Sequence, residues 1–301
     1  STAWKFGDGN TAATTNASNT YANSGTYTVT IMSESNEGCR DTATQSVTVL
    51  TALAAGSITG ASTICYNTVP GTMTSTAGAS GSGGTYQYQW QSSTDNVNFT
   101  DISSATNTDY TSGALTQTTY FRRAVTTDVN CGPSYTNSVK ITVYDDLVGA
   151  VIGSDQNICF KTTPAMISQS ASATGGDGTW TYKWEKSTNG TTWSVIAGAT
   201  STSYSPGVLN TTTWYRIIST SGSNCGSIES NAVKILVYND LYAGLVGNNH
   251  SVCPNSTANT INGTTSPTGG DNTYTYQWQT SPDNTTWTDI SGATSASISP
   301  T

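Results

Sequence analysis

Few side chains in this chain have the type and spacing for reaction chemistry. His250 is the sole histidine and sits in a loop-like Asn248-Asn249-His250-Ser251 run. A Ser-His-Asp arrangement could therefore be assembled once at most, and no nucleophile motif stands near it. Asp8, flanked by Gly7 and Gly9, has the chemistry of a carboxylate acid or a calcium ligand, but a turn explains it better. Asp145, Asp146 and Asp240 recur at equivalent places and could offer oxygens to Ca²⁺, which takes six to eight. They also read as solvated turn residues, since no acidic cluster forms around them. No glycine-rich phosphate loop follows a strand and opens a helix. The expectation is a chain with no enzymatic activity and no cofactor.

Cysteine carries the strongest chemical signal. Cys65 and Cys131 are 66 residues apart, and so are Cys159 and Cys225. One disulfide per unit is the natural reading, each closing a loop that contributes about 4 kcal/mol by restricting the unfolded chain. Cys253 would then pair near position 319, and Cys39 with a residue before the first. Metal ligation is the rival reading, disfavoured because no CxxC spacing occurs and one histidine is available. Disulfides imply an oxidising, extracellular setting.

The elements that position these residues repeat with a period of 94: Cys65, Cys159 and Cys253; Trp90, Trp184 and Trp278; Phe99, Trp193 and Trp287. A step without register slip means tandem copies of one small domain. The expected divisions are 1–50, a partial domain of another kind; 51–145 and 146–239, two whole repeats; and 240–301, a partial third. Tyr86, Tyr88 and Trp90 alternate with Gln87, Gln89 and Gln91. The later copies follow with Trp180, Tyr182 and Trp184, then Tyr274, Tyr276 and Trp278. Period two buries one face and wets the other, the mark of an antiparallel strand. Tyr88, Tyr182, Tyr276 and the three Trp are thus the predicted aromatic core, joined by the 99/193/287 positions. Val139, Ile141 and Val143 form a closing strand, repeated by Val233, Ile235 and Val237. Turn-rich segments recur every eight to twelve residues and no apolar period of 3.6 is sustained. The fold class is all-β, tandem immunoglobulin-like sandwiches forming an elongated rod. The disulfides are expected to staple one end of each sandwich. Arg122 and Arg216 are expected to lean inward on their stems.

Composition narrows the partners. Charged residues make up 9% of the chain, far below the usual quarter or so. The net charge of −8 and the lack of a basic cluster exclude nucleic acid. No apolar run of membrane-spanning length occurs, so direct membrane insertion by this segment is not expected.

Residues 1–50 contain Trp4-Lys5-Phe6-Gly7-Asp8-Gly9, then Tyr21, Gly25 and Tyr27-Thr28-Val29-Thr30-Ile31. They resemble the PKD domain, an immunoglobulin-like sandwich of cell-surface proteins, with Asn19 where a histidine often stands. Tyr88-Gln89-Trp90-Gln91-Ser92-Ser93 and Thr118-Thr119-Tyr120-Phe121-Arg122-Arg123 resemble Ig-like repeats of giant Bacteroidetes surface proteins. Such repeats occur with PKD domains in SprB-type gliding-motility adhesins exported by type IX secretion. The resemblance implies a stalk segment of a secreted, cell-surface adhesin or filament. Its partners would be an external surface, a polysaccharide or a neighbouring cell, with outer-membrane motility or secretion machinery engaged elsewhere. Asp41-Thr42-Ala43 resembles the Bacteroidetes O-glycosylation sequence, which makes Thr42 the acceptor. The alternative function is a carbohydrate-binding or accessory array of a secreted polysaccharide-degrading enzyme. Tyr66, Tyr135 and Tyr242, outside the recurring framework, are its candidate contacts.

Overall fold

A computed structural model describes residues 1–129 and 132–300. Among the described residues every regular element is a β-strand. The chain divides into two compact units, Ser1–Asp146 and Leu147–Thr301.

The first unit opens with a four-stranded sheet ordered Thr11–Ala12, Thr2–Lys5, Gly25–Glu34, Arg40–Val49. The last two strands form a hairpin in continuous register from Gly25↔Val49 to Glu34↔Arg40. At its opposite side Gly7 takes φ +83°, and a Cβ there would meet the Thr28 carbonyl at 2.9 Å, so glycine is required. Trp4 and Phe6 stack with ring centroids 6.3 Å apart, and Phe6 is buried.

The rest of the first unit is a two-layered sandwich. Its larger sheet runs Ser62–Ile64, Val139–Val143, Thr119–Thr127, Tyr86–Ser93, Thr100–Asp101, with Ser134–Tyr135 added beside Thr119–Thr127. All these pairings are antiparallel except Ser62–Ile64 with Val139–Val143, which is parallel. Facing it, Ser57–Thr59 pairs with Thr74–Ala77, extended by the Met73↔Tyr110 bridge. Ile58 and Met73 from one layer close on Trp90, Phe121, Val139 and Ile141 from the other. This is the immunoglobulin type of sandwich.

The second unit builds the same body 94 residues later. Trp180–Ser187, Thr213–Ser221 and Val233–Val237 take the places of Tyr86–Ser93, Thr119–Thr127 and Val139–Val143. The core geometry carries over as well. Trp90, Tyr110 and Phe121 rings lie 5.5 and 6.0 Å apart in sequence, while Trp184, Tyr204 and Tyr215 give 5.6 and 5.6 Å. Each indole N–H donates to a carbonyl 17 residues on: Trp90 to Asn107, Trp184 to Ser201, Trp278 to Ser295. A buried Trp needs this partner for its polar edge, and both Trp90 and Trp184 are fully buried. Tyr88 and Tyr182 are half-buried on the same face.

Two core expectations fail. Tyr276 is exposed and Trp278 only half-buried, because among the described residues no strand pairs with 274–278 from the side that Thr213–Ser221 occupies in the second copy. Phe99 and Trp193 are half-buried and Trp287 is exposed. Arginine heads from the outer face of the large sheet lie over the Phe99 and Trp193 rings.

The disulfide scheme also needs correction. Cys65 and Cys225 are disulfide-bonded, but Cys159 is a free, exposed thiol, as are Cys39 and Cys253. Cys159 and Cys225 therefore do not pair. The register explains why. Cys159 follows Ile158, which pairs with Val237 at the Thr213 end of the Thr213–Ser221 strand. Cys225 lies past the other end, where Ser221 N–H donates to Gly226 O. A nine-residue strand spans about 26 Å between its end residues, whereas bridged cysteines need Cα atoms within about 7 Å. The predicted Cys65–Cys131 pair rests on Cys131, which lies outside the described residues.

Candidate functional surfaces

The outer face of the large sheet gathers cations and rings. In the first copy Arg122 sits between Phe99 and Tyr135, its guanidinium carbon 4.0 Å from each ring centroid. Its Nε donates to Gln91 Oε1 at 2.7 Å. Lys140 lies over Tyr120. The second copy repeats the plan with Arg216 over Trp193 at 4.4 Å and Lys234 over Trp214. There Glu185 replaces Gln91, and its carboxylate receives Arg216 at 2.8 Å. Arg122 and Arg216 thus point outward, correcting the inward expectation. Strand parity is the reason: Phe121 and Val125 are buried, so residue 122 must face away.

The inward arginine is its neighbour. Arg123 is fully buried, between Phe121 and Val125 in the alternation. Its Nη1 donates to Ser75 Oγ and to Thr108 O, both at 2.6 Å, and its head lies 4.4 Å from the Tyr88 ring. Among the described residues, Nε and Nη2 have no hydrogen-bond partner. Loss of hydration holds the guanidinium pKa below its ordinary value, partly offset by Tyr88 and Asp109. The second copy has Ile217 there, also fully buried. The signal for this side chain was present in the period-two pattern of Thr119–Thr127.

Asp95, Asp283 and Asp8 are turn builders. Asp95 accepts from the backbone N–H groups of Val97 and Asn98 and from Ser93 Oγ, all within 2.8 Å. Asn98 N–H leads the causes that hold its carboxyl well below the usual range. Asp283 repeats this arrangement, led by Thr286 N–H, while neutral Asn189 does the same work in the second copy. Asp8 accepts from Asn19 Nδ2 at 2.7 Å and from Asn10, which lowers its pKa, Asn19 foremost. Tyr21 O–H donates to Phe6 O beside it. Asp145, Asp146 and Asp240 are exposed and lie within strands Asp145–Val148 and Asn239–Tyr242, rather than in turns. Among the described residues no three His, Cys, Asp or Glu side chains converge as a metal would require. His250 latches its own loop: Nδ1 lies 2.6 Å from Asn248 O, and Nε2 accepts from Asn259 N–H at 2.9 Å. That pairing fixes the neutral tautomer with the proton on Nδ1. Thr42 is exposed on Arg40–Val49, its N–H 2.8 Å from Asp41 Oδ1. Tyr66, Tyr135 and Tyr242 are all exposed.

Comparison with known proteins yields two family matches. A family described as a domain of unknown function (DUF8696) matches residues 54–145, 148–239 and 242–301. The PKD domain model matches residues 1–49. No curated protein sequence matches the chain. Among solved structures, a crystal structure of titin domains is 16% identical, with 77% of this chain and 86% of that one covered and a TM-score of 0.35. Immunoglobulin domains 1–4 of Sidekick-1 give 14%, 72%, 57% and 0.33. Fibronectin(III)-like modules of Clostridium thermocellum CbhA give 12%, 61%, 90% and 0.26.

Proposed function

We propose that this chain, which belongs to the DUF8696 family through three successive copies and begins with a PKD domain, is a stalk segment of a cell-surface adhesin or filament. A disulfide together with PKD and immunoglobulin-type domains is typical of extracellular proteins. The observation that carries the reading is duplication of a whole core. Strands, ring triplets and indole hydrogen bonds recur at one offset, while the side chains with chemical potential are absorbed into turns. Selection for reach and mechanical resilience keeps frameworks; selection for catalysis would keep a reactive constellation. Type IX export, support of adhesion or gliding, and contact with a surface, a polysaccharide or a neighbouring cell belong to this proposal, as does the absence of enzymatic activity.

Single-molecule pulling under reducing conditions tests it. Each complete copy of 94 residues should release a length on the order of 300 Å, at about 3.3–3.6 Å per residue less the folded span. Two equal steps are expected. Unequal or absent steps would count against a load-bearing role. The second reading, carbohydrate binding, is favoured by the exposure of Tyr66, Tyr135 and Tyr242. A glycan array would bring it forward if binding were lost in Tyr66→Ala or Tyr135→Ala.

A further inference from the structure

The outer faces of the two complete copies differ by a carboxylate. In the second copy Glu185 lies opposite Arg216, and its Oε2 accepts from Nε at 2.9 Å and from Nη2 at 2.8 Å. The first copy holds Gln91 opposite Arg122. Gln91 Oε1 accepts from Arg122 Nε, while Gln91 Nε2 donates to Asp101 Oδ1 at 2.7 Å. Asp101 is thus tied to the amide, and among the described residues no carboxylate lies within ion-pair distance of Arg122. The cation is nevertheless held in place, flanked by Phe99 and Tyr135 with each ring centroid 4.0 Å from its guanidinium carbon. It is half-buried, and Tyr135 beside it is 45% exposed, so the site is open to solvent. Lys140 is a second exposed cation with no carboxylate in ion-pair distance among the described residues. It pairs with Tyr120, two residues before Arg122, which makes the cations diagonal neighbours about 7–8 Å apart.

A guanidinium fixed by stacking presents its N–H fork in a plane that matches a carboxylate. The second copy shows the group such a fork takes when one is at hand. We propose that Arg122 and Lys140 form a binding site for an acidic polysaccharide built of uronate units. One uronate carboxylate meets the Arg122 fork, as Glu185 meets Arg216, and its sugar ring lies against Tyr135. Lys140 meets the carboxylate of a neighbouring unit. The surroundings favour a glycan over an acidic peptide. Gln87, Thr126 and Thr142 share the outer face by strand parity. They form a field of amides and hydroxyls suited to sugar hydroxyls, where a peptide would need pockets for apolar anchors. The inference gives a chemical class to the polysaccharide contact proposed above and rests on that contact. The stalk's mechanics, read by pulling, are decided separately.

The test is affinity electrophoresis of the 301-residue chain through gels holding polygalacturonate, its methyl ester or dextran. Polygalacturonate should retard the chain, and the two neutral polymers should not. Arg122→Gln should weaken the retardation at least fivefold. Gln91→Glu should do the same, by filling the fork from within. Arg216→Gln removes the same charge from a guanidinium that Glu185 already occupies, and should leave the retardation unchanged. Amide exchange in Val139–Val143 reports that each variant keeps its first sandwich. Absence of retardation, or equal retardation by the methyl ester, overturns the proposal. So does an equal loss in Arg216→Gln, which would reduce the effect to net charge. Release of the chain by polyglutamate as readily as by free polygalacturonate overturns it too, in favour of an acidic peptide.

Discussion

Replacing Arg123 with isoleucine should stabilise the first repeat. The second copy already contains this substitution at Ile217. Arg123 brings a fully buried cation with two nitrogens that find no partner among the described residues, and each unmet buried donor costs about 1–3 kcal/mol. Against this stand two hydrogen bonds from Nη1 and the contact with Tyr88. Charge-assisted bonds contribute about 1.5–3 kcal/mol each, and the ring about 0.5–2 kcal/mol. These terms nearly cancel, so desolvation of the guanidinium decides the sign. Exchanging buried ionic groups for packed apolar ones is often neutral or stabilising, by about 1–4 kcal/mol. The smaller isoleucine forfeits some packing, which places the expected gain at about 1–2 kcal/mol. Hydrogen exchange of Thr119–Thr127 in Arg123→Ile should then slow by about 5- to 30-fold, with Thr213–Ser221 as the internal reference. Unchanged or faster exchange would refute the reasoning, because it would mean that the bonds to Ser75 and Thr108 outweigh the burial cost.

Three further outcomes follow from the same geometry. Alkylation without reductant should label Cys39, Cys159 and Cys253 and leave Cys225 protected until reduction; label on Cys225 in the folded, unreduced chain would contradict the assignment. Asp95 has a lowered folded pKa, so its stabilisation is complete above the ordinary carboxyl value near 4 and fades as pH falls below it. Residues 93–98 should open in acid, whereas 187–192, capped by Asn189, should not, as amide exchange between pH 5 and 2 would show. Burial pushes the Tyr215 hydroxyl up to about 12. The unfolded chain ionises near 10, so this contribution is present below pH ~10 and lost as pH rises towards 12. The Tyr215→Phe variant, matching Phe121 of the first copy, should remove that part of the alkaline loss in a melt of the second unit.

Much of the architecture was legible because its causes are local. Aromatic and polar residues alternate in Tyr86–Ser93 and its copies, and that alternation alone fixes a strand with one buried face. That Cys159 stays free and does not pair with Cys225 was not legible. In a repeat of fixed period the 66-residue interval recurs whatever the partners are, so equal spacing carries no pairing information. Pairing depends on which pole of the sandwich each loop reaches. The inward and outward arginines differ by one residue, and reading Arg122 as inward ignored the parity set by Phe121. Phe99 and Trp193 fall beyond the alternating strand, where nothing in the pattern says which face they cover. Tyr276 obeys the local pattern, yet burial requires a neighbouring strand, and no residue near it in sequence reports on that. Asp8 and Asp95 look like candidate acids until their convergent N–H donors show them holding turns closed.

Site-resolved hydrogen exchange on the unmodified chain tests the duplication of one sandwich most directly. Laid over itself after a shift of 94 positions, the protection map should match: slow amides in Tyr86–Ser93, Thr119–Thr127 and Val139–Val143 should coincide with slow amides in Trp180–Ser187, Thr213–Ser221 and Val233–Val237. Protected blocks that fail to coincide under that shift would contradict it.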